Sequence, residues 1–188
     1  PQQADTYELG VQGERGGWEA GWTGFYIRIN EEILFNNAAV TNQNFDTRRF
    51  GSELSLKGEP VPHRVRTSVA YTFVDSEFRE GDFVGSTIPG SPEHTLNTTV
   101  GISPLEGLWV DLNWRVVSNF YRINDFANTL PRGDNYGVLD LVAQYDVPQW
   151  LLGGAEGPNT NVYLRIENVT NEEYVGFQSS NSTNLLGA

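Results

Sequence analysis

The chain has no cysteine and no methionine, and its 188 residues hold only 12 basic side chains against 24 acidic ones, a formal net charge of -12. Without cysteine, disulfide frameworks, thiolate catalysis and cysteine-ligated metal sites are excluded. A chain without methionine that opens on Pro1, with no charged-then-apolar leader behind it, is what a processed or partial polypeptide would show. Long hydrophobic runs are missing too. Phe25-Tyr26-Ile27 and Leu108-Trp109-Val110 are as long as they become, so no helix of this text can cross a bilayer. The shortage of Lys and Arg opposes nucleic-acid binding, which depends on cations displacing the counterions of phosphate. Hydrophobic residues nevertheless make up 38% and aromatics 12%, which is too rich for a disordered acidic tail and enough for one domain.

What is present is alternation. From Leu108 to Val116 the residues Leu108, Val110, Leu112, Trp114 and Val116 share one face, while Trp109, Asp111, Asn113 and Arg115 share the other. Val65, Thr67, Val69, Tyr71 and Phe73 oppose Arg64, Arg66, Ser68, Ala70 and Thr72, and Val162, Leu164 and Ile166 oppose Tyr163, Arg165 and Glu167. The period of two marks strands with one dry and one wet face, about eight of them. Their expected limits are Thr6 to Glu14, Trp18 to Ile29, Phe45 to Gly58, Arg64 to Phe78, Thr95 to Ser103, Leu108 to Tyr121, Tyr136 to Asp146 and Val162 to Tyr174. Soluble strands run about 5–6 residues and bilayer-crossing strands about 9–11, and these match the second class.

The connections alternate between tight (Arg15 to Gly17, Glu59 to His63, Pro104 to Gly107) and generous (Asn30 to Asn44, Arg79 to His94, Arg122 to Asn135). Short periplasmic turns on one rim and long external loops on the other are the habit of an outer-membrane barrel. Val147 to Asn161 breaks the pattern and is read as an extended periplasmic turn. Trp18, Trp109 and Trp150 fall near the tight-turn side, and Tyr26, Phe78, Phe120, Tyr121, Tyr136 and Tyr174 near the long-loop side, as interfacial girdles would. A soluble β-sandwich also alternates, so periodicity alone leaves that reading open.

Three motifs then carry a resemblance. Thr47 to Glu53 (TRRFGSE), Ile88 to His94 (IPGSPEH) and Asn168 to Tyr174 (NVTNEEY), in that order, resemble the C-terminal barrel of TonB-dependent outer-membrane transporters. Tyr7 to Glu14, Gly107 to Tyr121 and Tyr136 to Asp146 extend the likeness over nearly the whole chain, nearest to ferric citrate and siderophore receptors. The resemblance implies an all-β fold, a transmembrane antiparallel up-and-down β-barrel of 22 strands around an N-terminal plug. Residues 1–188 would supply about eight consecutive strands of it, without the plug, the TonB-contacting segment and the closing strand. The implied function is active import of an iron chelate across the outer membrane of a Gram-negative bacterium, in contact with outer-membrane lipid and lipopolysaccharide and driven by TonB. No enzyme activity, cofactor or nucleic-acid partner is implied.

The motifs also have plain physical readings. Gly51 leaves room inside the wall and Glu53 points to the polar face. Asn168 and Asn171 are expected to cap the end of a strand, and His94 to hydrogen-bond at a strand start. His63 and His94 fall on opposite rims, which argues against a shared metal site, and the acidic stretch Asp75, Glu77, Glu80 and Asp82 lacks cation-binding loop spacing. No GxSxG or phosphate-cradling glycine loop occurs. By likeness to the family's ligand-contacting loops, the substrate candidates are Asn36, Asn37, Gln43, Asn181 and Ser182. Arg48 and Arg49 are added as guanidinium partners for an anionic chelate, with pairing to nearby acids as the alternative. The rivals are a small complete eight-stranded barrel of adhesin or structural role, a soluble β-rich binding module, and a barrel recruited as a scaffold.

Overall fold

A strand that alternates apolar and polar side chains can hydrogen-bond along both edges while it keeps its two faces chemically distinct. In the computed structural model, which describes residues 1–36, 39–152, 160–177 and 185–186, this pattern produces a single antiparallel meander. Its strands are β1 (Gln3–Arg15), β2 (Trp18–Asn36), β3 (Thr41–Val61), β4 (Val65–Phe78), β5 (His94–Leu105), β6 (Leu108–Val117), β7 (Tyr136–Val147) and β8 (Thr160–Ile166), each paired to its sequence neighbours. β9 (Val175–Phe177) and β10 (Leu185–Leu186) form a separate two-stranded pair. The eight-stranded sheet does not close, because β1 and β8 stand at its two edges. Each edge presents unpaired backbone N–H and C=O groups, which hydrocarbon does not tolerate.

All eight expected strands are present, with shifted ends. Asn30 to Asn44 was expected to be a long loop, but β2 continues to Asn36 and β3 begins at Thr41. The two stay paired beyond a bulge at Ile29/Glu32, where Glu31 has φ 56° and donates its N–H to Asp46 Oδ1 at 2.9 Å. Above the belt a ladder no longer needs an apolar face, so alternation fades while pairing persists. At about 3.3 Å per residue, the 21 residues of β3 reach about 70 Å, far more than the roughly 25 Å apolar band of such a barrel. Conversely β6 ends at Val117 instead of Tyr121, since Phe120 turns inward to a cluster with Val117 and Tyr136. β8 ends at Ile166 instead of Tyr174, where Asn168 (φ 51°) and Asn171 (φ 53°) bend the chain away. Asn168 is the cap the sequence suggested: its Oδ1 accepts from Glu172 N at 2.8 Å and its Nδ2 donates to Glu172 O at 3.0 Å.

The tight turns follow local chemistry. Gly16 and Gly17 both hold positive φ (61° and 78°), the two-residue turn whose twist matches that of its strands. Between β7 and β8 the chain makes a 3₁₀ turn at Gln149–Leu151 before leaving the described residues.

The register decides what the two faces are. One cross-strand row reads Val11, Trp22, Leu54, Tyr71, Leu96, Val116 and Gly137 from β1 to β7. A row on the opposite face reads Glu14, Glu19, Lys57, Ser68, Thr99, Asn113 and Asp140. The apolar rows are bare: Leu9 is 72% exposed, Leu54 49%, Leu112 43%, Trp114 49% and Leu164 57%. No second sheet covers them among the described residues. A chain folding in water hides such surface at about 25 cal/mol per Å², so a face left bare over eight strands needs another apolar phase against it.

What core exists lies at the long-loop end. Phe78, Ile88 and Phe126 are buried there with Leu34, Phe45 and Phe83 packed around them, and Val117, Phe120 and Tyr136 form a second small cluster. Phe45 meets Phe78 and Phe126 at ring distances of 5.1 Å each, which ties the β2–β3 hairpin to the β4–β5 and β6–β7 loops. Asn128 clasps the same loops, with Thr87 N donating to its Oδ1 at 2.6 Å and its Nδ2 donating to Thr87 O at 2.9 Å. The buried Asp125 carboxylate accepts from Thr129 N and Leu130 N at 2.9 Å each.

Candidate functional site

The polar face is built from alternating residues of all eight strands, and its charges are mostly paired across the ladder. Arg66 of β4 reaches past Gly101 to Asp111 of β6, donating Nε to Oδ1 at 2.9 Å and Nη2 to Oδ2 at 2.5 Å. A Cβ at Gly101 would stand 2.2 Å from Asp111 Oδ1, so the missing side chain is what lets the pair form. The same guanidinium lies 4.3 Å from the ring centre of Trp109. Glu14, Glu19, Lys57, Arg66, Asp111 and Asn113 line a recess of about 790 Å³ near the tight-turn rim, where Lys57 Nζ meets Glu19 Oε2 at 2.7 Å. A large, water-accessible concavity lined by charged side chains is the property of a lumen wall and not of a packed core.

Gly51 makes room as expected, though the space is filled by a neighbour: a Cβ there would meet Phe25 Cζ at 2.4 Å and Phe73 O at 2.3 Å. Glu53 stands between Thr23 and Thr72 on the polar face. His94 sits at the first residue of β5, where its Nδ1 and the Tyr71 hydroxyl are 2.8 Å apart.

The substrate candidates divide sharply. Asn36 and Gln43 are brought together at the tip of the β2–β3 hairpin, Asn36 Nδ2 donating to Gln43 Oε1 at 2.9 Å. Arg48 and Arg49 point to opposite faces, since an unbroken register places Arg48 with Leu54 and Phe50, and Arg49 with Glu53 and Gly51. Arg48 donates Nε to Glu77 Oε1 at 2.7 Å and lies 3.9 Å from Asp75. On the inner face Arg49 grips Glu32 through Nη2 at 2.7 Å and Nη1 at 3.0 Å, and Thr47 Oγ1 bonds the same carboxylate. Both guanidinium groups therefore have acidic partners, and they cannot converge on one ligand. Asn37, Asn181 and Ser182 lie outside the described residues.

Sequence reading missed the Arg66–Asp111–Trp109 group. Alternation had put Asp111 and Arg115 on the wet face, but only the pairing register shows that Arg66 lies within reach of one and not the other.

An open antiparallel wall with a bare apolar outside and a charged concave inside defines a segment of a large transmembrane β-barrel. Residues 1–169 match the family described as TonB dependent receptor-like, beta-barrel, and the chain belongs to that family. No curated protein matches it. Among solved structures it is similar to the ferric citrate transporter FecA in its unliganded form, with a TM-score of 0.79 and 24% identity over 98% of this chain and 29% of that one. It is similar to BauA, the ferric preacinetobactin receptor from Acinetobacter baumannii, with a TM-score of 0.75 and 24% identity over 100% of this chain and 28% of that one. The copper transporter OprC gives a TM-score of 0.77 at 17% identity, over 100% of this chain and 29% of that one. The chain thus spans less than a third of the length of the structures it matches.

Proposed function

We propose that this chain is wall and external rim of a TonB-dependent receptor that imports an iron chelate through the outer membrane of a Gram-negative bacterium. The observation that carries the reading is the two-faced wall: an uncovered apolar exterior suited to lipid and lipopolysaccharide, and a polar, charged inner face. Coupling to TonB is assigned to a plug outside these residues. The substrate reading is supported by family membership and by the kinds of receptor this wall resembles. On the external side Asn36 and Gln43 offer an amide pair at the hairpin tip, and Asn37, Asn181 and Ser182 are proposed to add further amide and hydroxyl contacts. Arg49 is the member of the arginine pair that faces a solute. Arg48 acts at one remove, holding Glu77 and Asp75 and so the outer side of the hairpin.

The test is uptake of radioiron by cells that express the full-length receptor as their sole chelate transporter, with and without TonB. Iron accumulation from citrate or a siderophore that disappears without TonB supports the reading. A receptor that is folded in the outer membrane yet accumulates iron from none of these chelates, while taking up another nutrient, refutes the substrate class.

A further inference from the structure

The apolar face carries a single charge near the tight-turn rim. Below the row that holds Val11, Trp22, Leu54 and Tyr71, the register sets Gly13, Ala20, Leu56 and Val69, and below these Arg15, Trp18, Gly58 and Thr67. From Thr67 the last row runs on through Val100, Leu112, Leu141 and Ile166 without another charge. Arg15 is exposed and makes no hydrogen bond or ion pair with any described residue. It stands beside Trp18 at the start of the Gly16–Gly17 turn, at the edge of a face that otherwise suits hydrocarbon.

Next to that arginine the wall is hollow. The ring of Trp22 lies back along its own strand, where a Cβ at Gly24 would stand 3.0 Å from its Cη2. The ring of Trp18 lies across the ladder on Gly58, where a Cβ would stand 2.6 Å from its Cδ2. Both indoles thus turn away from Ala20. Gly13 and Ala20 are left as the floor of a groove of about 620 Å³, with Trp22, Leu54, Leu56 and Tyr71 among its walls. That volume falls within the roughly 300–1,000 Å³ of an ordinary ligand pocket, and no charged side chain lines it. The groove is continuous with the lipid-facing rows, and Arg15 follows Gly13 by two residues, about 7 Å along β1.

We propose that this corner of the wall binds one glycerophospholipid of the periplasmic leaflet, an acyl chain lying on Gly13 and Ala20 and the phosphodiester on the Arg15 guanidinium. The proposal rests on the membrane-wall assignment and is independent of which solute is imported. An arginine at the border of an apolar face keeps its stem on the wall and its head at the interface. There its planar fork of donors matches two phosphate oxygens, and Trp18 supplies the aromatic surface that settles at headgroup level. Tight turns of such barrels face the periplasm, which fixes the leaflet. Charge also favours lipid over a second copy of the receptor. A two-fold axis along the bilayer normal brings equal depths together, so a symmetric contact here would set Arg15 against its own counterpart.

The test titrates the full-length receptor in detergent with dioleoylphosphatidylglycerol, and in parallel with dioleoylglycerol, which has the same chains and no phosphate, counting bound lipids by native mass spectrometry. The unsubstituted receptor is expected to retain one phosphatidylglycerol more tightly than the rest. Arg15→Gln should weaken that binding about tenfold, the size of one lost charge-assisted hydrogen bond, while leaving dioleoylglycerol unchanged, and Arg15→Lys should recover part of it. Ala20→Leu fills the floor of the groove and should weaken both lipids. Heat-modifiable migration confirms that each variant is folded. The proposal is overturned if Arg15→Gln and Ala20→Leu both bind phosphatidylglycerol as the unsubstituted receptor does. An arginine held instead by the strand preceding β1 would show Arg15→Gln lowering stability in urea with lipid binding unchanged. A self-association face would show a dimer that Ala20→Leu abolishes, and either result overturns the proposal too. The readout contains no iron, so its outcome is separable from that of the uptake experiment.

Discussion

Leu112 and Asn113 are neighbours in the middle of β6, and the account assigns them to different solvents. Leu112 is 43% exposed and sits between Val100 and Leu141 on the bare face, whereas Asn113 sits between Thr99 and Asp140 on the polar one. Leu112→Arg would place a cation at the depth of the hydrocarbon, at a cost of about 2–4 kcal/mol near the midplane of such a barrel. Asn113→Arg loses the bond that Thr99 Oγ1 donates to Asn113 Oδ1 at 2.8 Å. That loss is worth about 1 kcal/mol, and the new cation recovers part of it against Asp140 through water. The two variants should therefore differ by about 1–3 kcal/mol, a factor of roughly 5 to 150 in the folding equilibrium. The assay is urea unfolding of the full-length receptor in phospholipid vesicles, followed by intrinsic Trp fluorescence and heat-modifiable migration. Equal stability of the two variants, or a greater loss in Asn113→Arg, would refute the assignment of faces.

Three further outcomes follow from particular contacts. Gly51→Ala should destabilise the wall by about 1–3 kcal/mol through overpacking, and Phe25→Ala should relieve it only in part, because the backbone oxygen of Phe73 is as close as the ring; full relief in unfolding experiments would count against the geometry. Asp111→Ala removes the partner of a half-exposed Arg66 and should cost about 1–2 kcal/mol, and a double-mutant cycle with Arg66→Met should return a coupling near 1 kcal/mol that shrinks in high salt. Asn128→Gly keeps the backbone free to hold its φ of 56° but deletes both bonds to Thr87, so amide exchange in Gly85–Ile88 and Asp125–Leu130 should quicken while the strands are unaffected.

Much of the wall was legible before any coordinates, because a period of two is a direct statement about faces. Leu108 to Val116 shows this most clearly: its alternation and its start after a tight turn survive in β6, although the strand stops at Val117, short of the expected Tyr121. The ends were less legible wherever pairing and alternation part company. Glu31 to Asn36 carries polar and apolar residues in no simple order, yet it continues β2 because Thr41 to Phe45 lies opposite and the ladder is satisfied by backbone alone. Phe120 and Tyr174 look like strand residues, but they turn inward to small aromatic clusters that only the three-dimensional path of the loops creates.

The candidate site was legible in kind and not in arrangement. That Arg48 and Arg49 would meet acids could be anticipated from composition. That they face opposite sides follows from their adjacency in a strand, and their partners Glu77 and Glu32 come from different neighbours whose register the sequence does not print. Arg66 and Asp111 lie 45 positions apart and bridge a strand that contributes only a glycine, a relation invisible to spacing rules.

The central claim is that every second side chain of this wall touches lipid. This stretch contributes no cysteine, so in a full-length receptor with any cysteine elsewhere replaced by serine, single cysteines can be introduced one at a time from Leu108 to Val117, given spin labels and reconstituted in vesicles. Collision with oxygen, which concentrates in the bilayer, should peak at 108, 110, 112, 114 and 116, and collision with a water-soluble nickel complex at 109, 111, 113 and 115. Uniform accessibility along β6, or the opposite phase, would contradict the account.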